Sequence, residues 1–392
     1  MTAKQRHIPR PKPSEADVAV STSRAARIAA AVIQQASRSL PADQCLRAEL
    51  KKTRGLNQAT SRLTARMVFA HYRWLGWTKS DVPIETRVRE ALNLQERFNR
   101  EPNSFSDAAL VEKSIPAWAS EVMEVTVPWV RAIQSEPVLW LRTRPGLSEQ
   151  LNSTLPQTSS GPVPDSLIYE GEEDLFVRPE FQSGEFEIQD IASQIVGWLC
   201  HPKPGETWWD ACAGEGGKTL HLSTLMLNKG LIWASDRAEW RLKRLKQRAG
   251  RAKVFNYRTA PWNGGENLPT RTLFDGVLLD APCSGLGTWQ RNPHSRWTTT
   301  RNDIAELADL QGRLLKAAAR SVKKGGRLIY SVCTLARAET TGVSEQFGSQ
   351  NPEFVLEPFT APLELNQGPT VWLSPQEWRG SGMFVIQWRK VG

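Results

Sequence analysis

Between residues 207 and 388, short apolar runs alternate with stretches of helical length, and this alternation constrains the fold more than any other feature. The runs cover 207–209, 230–236, 253–257, 274–280, 327–330 and 382–388, and helical patterns run from about 217 through 227, 239–248 and 304–322. Parallel neighbours need a crossover of a dozen or more residues, usually a helix. The pattern therefore predicts an α/β unit, a parallel sheet with helices on both faces. In such sheets ligands bind beyond the C-terminal ends of the strands. Polar residues just past a run are the ones to examine.

Two of the later runs each end near a thiol. The run at 274–280 stops at Asp280-Ala281-Pro282-Cys283-Ser284-Gly285, and the run at 327–330 leads to Ser331-Val332-Cys333-Thr334. One cysteine so placed reads equally well as a half-buried structural residue. Two at like ends of two parallel strands can converge on one ligand. A third end carries Asp210-Ala211-Cys212-Ala213-Gly214-Glu215-Gly216-Gly217-Lys218-Thr219, a glycine-rich turn opening a helix, where a ligand can approach the backbone and negative charge is favoured. Its glycines fit neither G-x-G-x-x-G nor a P-loop. Asp236 ends the next strand, where an acid commonly takes the ribose hydroxyls of a nucleoside cofactor. S-adenosyl-L-methionine fits this set better than a dinucleotide, with Lys218 near the carboxylate of its amino-acid end.

The charge is uneven. Residues 1–100 carry 19 Lys+Arg against 8 Asp+Glu, a net +11, whereas the remaining residues carry 31 against 33, a net −2. A basic module beside a near-neutral catalytic one suits a polyanion substrate, so nucleic acid is the expected partner. We expect a disordered basic tail over 1–21, a helical domain over 22–135, a small α+β bridge over 136–180 and the α/β unit over 181–392. In the helical domain Asn57 caps a helix whose Leu63, Met67, Ala70 and Trp74 share a buried face, while Arg62, Arg66 and Arg73 share another that could hold phosphates. No apolar run approaches the ~20 residues of a membrane helix. Residues 1–13 lack the apolar segment of a secretory signal. Five cysteines without regular spacing suggest neither a disulfide framework nor a metal site, and point to a reducing cytoplasm.

Carbon 5 of cytosine is a poor nucleophile towards a sulfonium methyl. A thiolate adding to carbon 6 makes carbon 5 nucleophilic, and a second thiol can then help expel the first. Asp280–Gly285 with Arg291 and Pro293, Tyr330–Leu335, Gly184–Asp190 with Ala192-Ser193, and Asp210–Thr219 together closely resemble the motifs of the RNA cytosine-C5 methyltransferases of the Sun/Fmu and Nop/NSUN type. The resemblance covers 181–340 and implies a Rossmann-like methyltransferase sheet of the EC 2.1.1 class. It implies Cys333 as nucleophile, Cys283 as the group aiding release, and Asp280 against base or cofactor. It further implies that Cys212, Ala213, Gly214, Glu215, Gly216, Gly217, Lys218 and Asp236 bind S-adenosylmethionine. RNA is then the substrate, ribosomal RNA first and tRNA second, and the chain is expected to act as a monomer. The helical domain matches the NusB-like domain of some bacterial members only in helicity and size.

The chain departs from the family pattern at Gly214-Glu215, where Ala-Pro is usual, and after the third strand, where Asn256-Tyr257-Arg258 offers no acid for adenine. Those departures keep open a second reading, an RNA-binding or assembly protein with a weakened cofactor site. A dehydrogenase is a third, disfavoured by the glycine spacing and both cysteines.

Overall fold

The computed structural model describes residues 15–392 apart from 364, 366 and 367. The chain divides between Ile115 and Pro116 into two compact units. Of the tail expected to be disordered, residues 1–14 lie outside the described residues, and from Glu15 the chain is already helical.

The first unit consists of α1 (Glu15–Gln35), α2 (Ala42–Lys52), α3 (Gln58–Arg73), α4 (Ile84–Arg100) and α5 (Asp107–Ser114). Asn57 starts α3 by accepting the Thr60 amide at 2.7 Å, one of the orphan donors of a helix N-terminus. Met67, Ala70 and Trp74 of its stripe are fully buried. The expected arginine face is corrected at one position. Arg73 is only 2% exposed and donates to Gln95 Oε1 of α4 at 2.9 Å, an acceptor shared with Trp74 Nε1. A guanidinium buried inside the unit is not available to a phosphate.

The second unit opens with α6 (Ala119–Val122) and α7 (Val127–Gln134), which the sequence grouped with the helices before them. Their anchors lie later in the chain. Buried Arg296 donates to Gln134 Oε1 at 2.7 Å and to the Ile133 carbonyl at 3.0 Å, and Trp118 and Trp129 pack on Trp289. A small antiparallel sheet follows, built from β1 (Leu139–Thr143), β2 (Thr158–Ser160), β3 (Ser166–Tyr169) and β4 (Phe186–Ile188) in the order β2-β3-β1-β4. It carries α8 (Ser148–Thr154) and α9 (Pro179–Gln182), and reaches past residue 180 to include β4.

After α10 (Ile191–Cys200) comes the alternation that the sequence predicts: β5 (Thr207–Asp210), α11 (Gly217–Leu225), β6 (Leu231–Asp236), α12 (Glu239–Ala252), β7 (Tyr257–Pro261), β8 (Phe274–Asp280), α13 (Ser295–Thr298), α14 (Arg301–Ala319) and β9 (Val322–Val332). The chain ends with α15 (Thr341–Gln350), β10 (Phe354–Leu356), β11 (Thr370–Leu373), α16 (Pro375–Trp378) and β12 (Met383–Lys390). The strands form one sheet in the order β10-β12-β9-β8-β5-β6-β7, with β11 also on β12. Strands β5 to β9 are parallel, and β12 runs antiparallel to β9. Successive residues alternate between two buried faces. Trp209, Val277 and Tyr330 pack on one side, and Trp208, Leu278 and Ile329 on the other. Burial on both faces is why these runs are continuously apolar. Among the described residues no helix is long and apolar enough to cross a membrane.

The third strand lies four residues later than expected. Lys253, with φ 57°, is the left-handed C-cap of α12, and buried Asn256 accepts the Ser223 hydroxyl at 2.6 Å. The strand is instead Tyr257–Pro261, which pairs with β6 alone. An edge strand tolerates both its polar residues and its proline.

Candidate active site

Asp210, Asp236 and Asp280 end β5, β6 and β8, and Cys333 follows β9, so the parallel strands bring all four to one edge of the sheet. A cavity of about 650 Å³ opens beyond that edge, closed on one side by Trp140 and Ile188 of the small sheet.

The glycine-rich turn is held by Asp236, whose carboxylate accepts the amides of Gly214 at 3.0 Å and Ala238 at 2.8 Å. Gly216 has φ 85°, and a Cβ there would stand 2.5 Å from Leu245 Cγ of α12. Only glycine fits. Cys212, Ala213, Gly214, Gly217, Lys218, Asp236 and Asp280 line the cavity, but Glu215 and Gly216 do not. Glu215 faces α12, where its carboxylate meets Arg244 at 3.0 Å and its carbonyl accepts from Arg248 at 3.0 Å. The acid that replaces the usual proline is thus balanced by α12. Because β7 ends at Pro261, the residues past the third strand are Trp262, Asn263 and Gly264, which line the cavity. The place expected at 256–258 moves to Asn263, an amide rather than a carboxylate.

Two buried polar atoms on this side have no partner, Asp210 Oδ1 and Gln189 Nε2, and both residues line the cavity. Burial pushes the Asp210 carboxyl up to about 7, against the Thr219 hydroxyl that donates to its other oxygen at 2.6 Å.

On the other side the two sulfurs, Cys283 Sγ and Cys333 Sγ, stand 3.3 Å apart. Cys283 lines the cavity, and Cys333, in contact with it, is half-buried. The hydrogen bond from Cys283 lowers the Cys333 pKa and raises its own well above the usual thiol value; the Lys218 and Arg291 cations also favour a Cys333 thiolate. Cys212 behaves differently, since burial pushes its thiol up. Lys218, expected at a carboxylate of the ligand, lies 2.7 Å from Asp280 Oδ2, while Ser331 Oγ donates to Asp280 Oδ1 at 2.8 Å. Burial opposes the Lys218 charge, but the Asp280 carboxylate outweighs it and raises the lysine's pKa.

The residue that sequence reasoning missed is Glu339. It is fully buried and accepts the Ser284 amide at 2.8 Å, the Gln311 amide at 3.0 Å and the Thr334 hydroxyl at 3.1 Å, besides the Ser284 hydroxyl. Ser284 follows Cys283 and Thr334 follows Cys333, so one carboxylate ties the two thiol loops together. Its only signal in the sequence was an acid six residues past Cys333. Gly287 adds a second tie, donating to the Cys333 carbonyl at 3.1 Å. A Cβ there would lie 2.0 Å from the Gly382 carbonyl oxygen.

Residues 198–389 match the family described as 16S rRNA methyltransferase RsmB/F. A probable ribosomal RNA small subunit methyltransferase B of Synechocystis is 35% identical over 295 residues, 70% of this chain. The alignment spans 63% of that relative's length. Among solved structures, PH0851 superposes with a TM-score of 0.76 at 25% identity, over 99% of this chain and 100% of that one. NSun6 from Pyrococcus horikoshii, solved with SFG, gives 0.51 at 27% identity, over 57% and 59%. Residues 198–389, which hold both thiol loops and the glycine-rich turn, thus belong to the family described as 16S rRNA methyltransferase RsmB/F.

Proposed function

We propose that this protein is an S-adenosylmethionine-dependent RNA cytosine-C5 methyltransferase acting on ribosomal RNA in the cytoplasm as a monomer. The observation that carries the reading is the thiol pair at the ends of β8 and β9, 3.3 Å apart, in which one thiol's hydrogen bond favours the other's thiolate. The family match and the naming of the Synechocystis relative support it. SFG, present with NSun6, is an analogue of S-adenosylmethionine.

The cavity suits that cofactor. Asp210 Oδ1 offers an unused acceptor for an ammonium and Gln189 Nε2 an unused donor for a carboxylate, the two groups of its amino-acid end. Asp236 would meet the ribose, and Trp262 with Asn263 would flank the adenine. Bound there, the cofactor supplies an electrophilic methyl group.

In this reading Cys333 adds as thiolate to carbon 6 of cytosine, and the ring's electron pair moves towards carbon 5 while N3 gains a proton. Asp280, steadied by Lys218 and Ser331, faces the base. Once carbon 5 carries its new methyl group, its proton leaves to a base. The electron pair re-forms the double bond, Cys333 departs as thiolate, and N3 gives back the proton it took up on addition. Cys283 donates to that departing sulfur. The first unit, with its basic excess, would add phosphate contacts. Removing residues 1–115 should then weaken RNA binding and flatten its dependence on salt.

Bisulfite sequencing of total RNA from cells with and without the gene tests the reading. A ribosomal cytosine that loses protection on deletion is expected. Unchanged protection at every cytosine would refute it and favour an RNA-binding protein, the reading that the amide at Asn263 keeps in play; calorimetry with S-adenosylmethionine would then measure how weak the cofactor site is.

A further inference from the structure

The most basic element of the second unit is α12, with Arg241, Lys243, Arg244, Lys246, Arg248 and Arg251 against one acid of its own, Glu239; Arg244 pairs with Glu215, and Arg248 and Arg251 with Glu187. Its buried stripe, Leu242, Leu245 and Ala249, packs on Leu220 and Ala234 beneath it. Trp240 takes no part in that stripe. It is 53% exposed in the helix's first turn, with the guanidinium carbons of Arg241 and Arg244 5.4 and 5.3 Å from its ring centroid. An indole held among cations at the surface adds nothing to the core. It does offer a π-face beside positive charge.

The position of this face matters as much as its composition. Arg237 and Arg241 line the cavity, so a basic track runs from the cavity rim directly to Trp240. Lys243 and Arg244, three and four residues on, share the indole's side of the helix. Cations spaced along a surface neutralise phosphates, and exposed aromatics stack on bases that are not already stacked in a duplex.

We propose that the solvent face of α12 binds single-stranded RNA adjoining the nucleotide in the cavity, with Trp240 stacking on an unpaired base and Lys243 and Lys246 meeting phosphates. Charge complementarity selects this occupant. The inference rests on the methyltransferase reading for what enters the cavity, but Trp240 and its cations stand without it.

The test is fluorescence anisotropy with a labelled 12-nucleotide single-stranded RNA of mixed sequence and with the duplex of the same length, each titrated across a range of KCl. Trp240→Ala should weaken single-strand binding about five- to a hundredfold and leave the duplex unaffected, and Trp240→Phe should restore most of the loss. The double variant Lys243→Gln, Lys246→Gln should reduce the salt slope for the single strand by about 1.4, close to 0.7 per phosphate released. Cofactor affinity by calorimetry should match the native protein in each variant, which establishes that the fold is intact. Native single-strand affinity in Trp240→Ala, an equal loss for strand and duplex, or an unchanged salt slope would overturn the proposal. So would Trp240-dependent binding of polyglutamate without binding of RNA, which would reassign the face to an acidic protein. Trp240-dependent RNA binding with no bisulfite-protected cytosine would sink the methyltransferase reading and leave this one standing. A protected cytosine with Trp240→Ala indistinguishable from native would do the reverse.

Discussion

The two sides of the cavity are finished to different degrees. On the thiol side nearly every polar atom is partnered from within. Glu339 takes Ser284, Thr334 and Gln311, while Asp280 takes Lys218 and Ser331. On the side of the glycine-rich turn, two buried polar atoms, Asp210 Oδ1 and Gln189 Nε2, have no protein partner. A buried group left unpaired costs about 1–3 kcal/mol, so a fold retains such groups where a ligand completes them. Saturation on the other side does a different job. It fixes two sulfurs 3.3 Å apart before any substrate arrives, and preorganisation of this kind favours chemistry. One side is built to be completed and the other to hold still.

The contrast is easiest to break at the sulfurs. Cys333→Ala should abolish methyl transfer, whereas Cys283→Ala should let a covalent protein–RNA complex accumulate, since addition survives and expulsion is impaired. Denaturing gels with labelled RNA read both outcomes, and a Cys283→Ala protein that turns over without any adduct would count against its role. The next effect falls on the scaffold. Glu339→Ala removes the acceptor of the Ser284 amide and one of the two acceptors of the Gln311 side chain, and should cost about 2–4 kcal/mol, seen as an earlier transition in guanidinium. A loss below about 0.5 kcal/mol would mean the loops do not depend on this tie.

The open side should answer to pH instead. The Asp210 carboxyl sits near 7 because it is buried, and an ammonium ligand requires it ionised. Above pH 7 it is already a carboxylate. As pH falls below 7 a proton must be displaced, so cofactor affinity should weaken by up to about tenfold per pH unit. Asp210→Asn should remove that dependence while weakening binding at pH 8. A flat native profile between pH 5.5 and 7 in calorimetry would show that Asp210 Oδ1 does not meet the ammonium. The smallest effect is expected at Asn263→Asp, a change of a few fold in cofactor affinity if this side chain borders the adenine.

The sheet was legible because burial on both faces writes itself as continuous apolar runs, and the run at 274–280 corresponds residue for residue to β8. β7 was misplaced because an edge strand is under no such demand: its Arg258, Thr259 and Pro261 read as loop, whereas Val254 and Phe255 read as strand. Arg73 was misjudged because helical spacing shows which residues share a face, but not that Gln95 of another helix would draw one of them inward. Both thiols could be found by their positions at strand ends. Glu339 could not, because its importance comes from Ser284, 55 residues away in the chain. Tertiary partnership leaves no local mark.

Gly216 has a consequence for genetics. The loop that shapes the ligand side and the helix that carries Trp240 touch at this point, with no room for a methyl group between Gly216 and Leu245. A Gly216→Ala lesion should therefore be suppressible in part by trimming the opposing residue, as in Leu245→Ala. The suppressor relieves the collision but not the left-handed backbone, whose cost of about 1 kcal/mol remains. Changes at the loop and on the helix would then be inherited as a pair, each tolerable only in the company of the other.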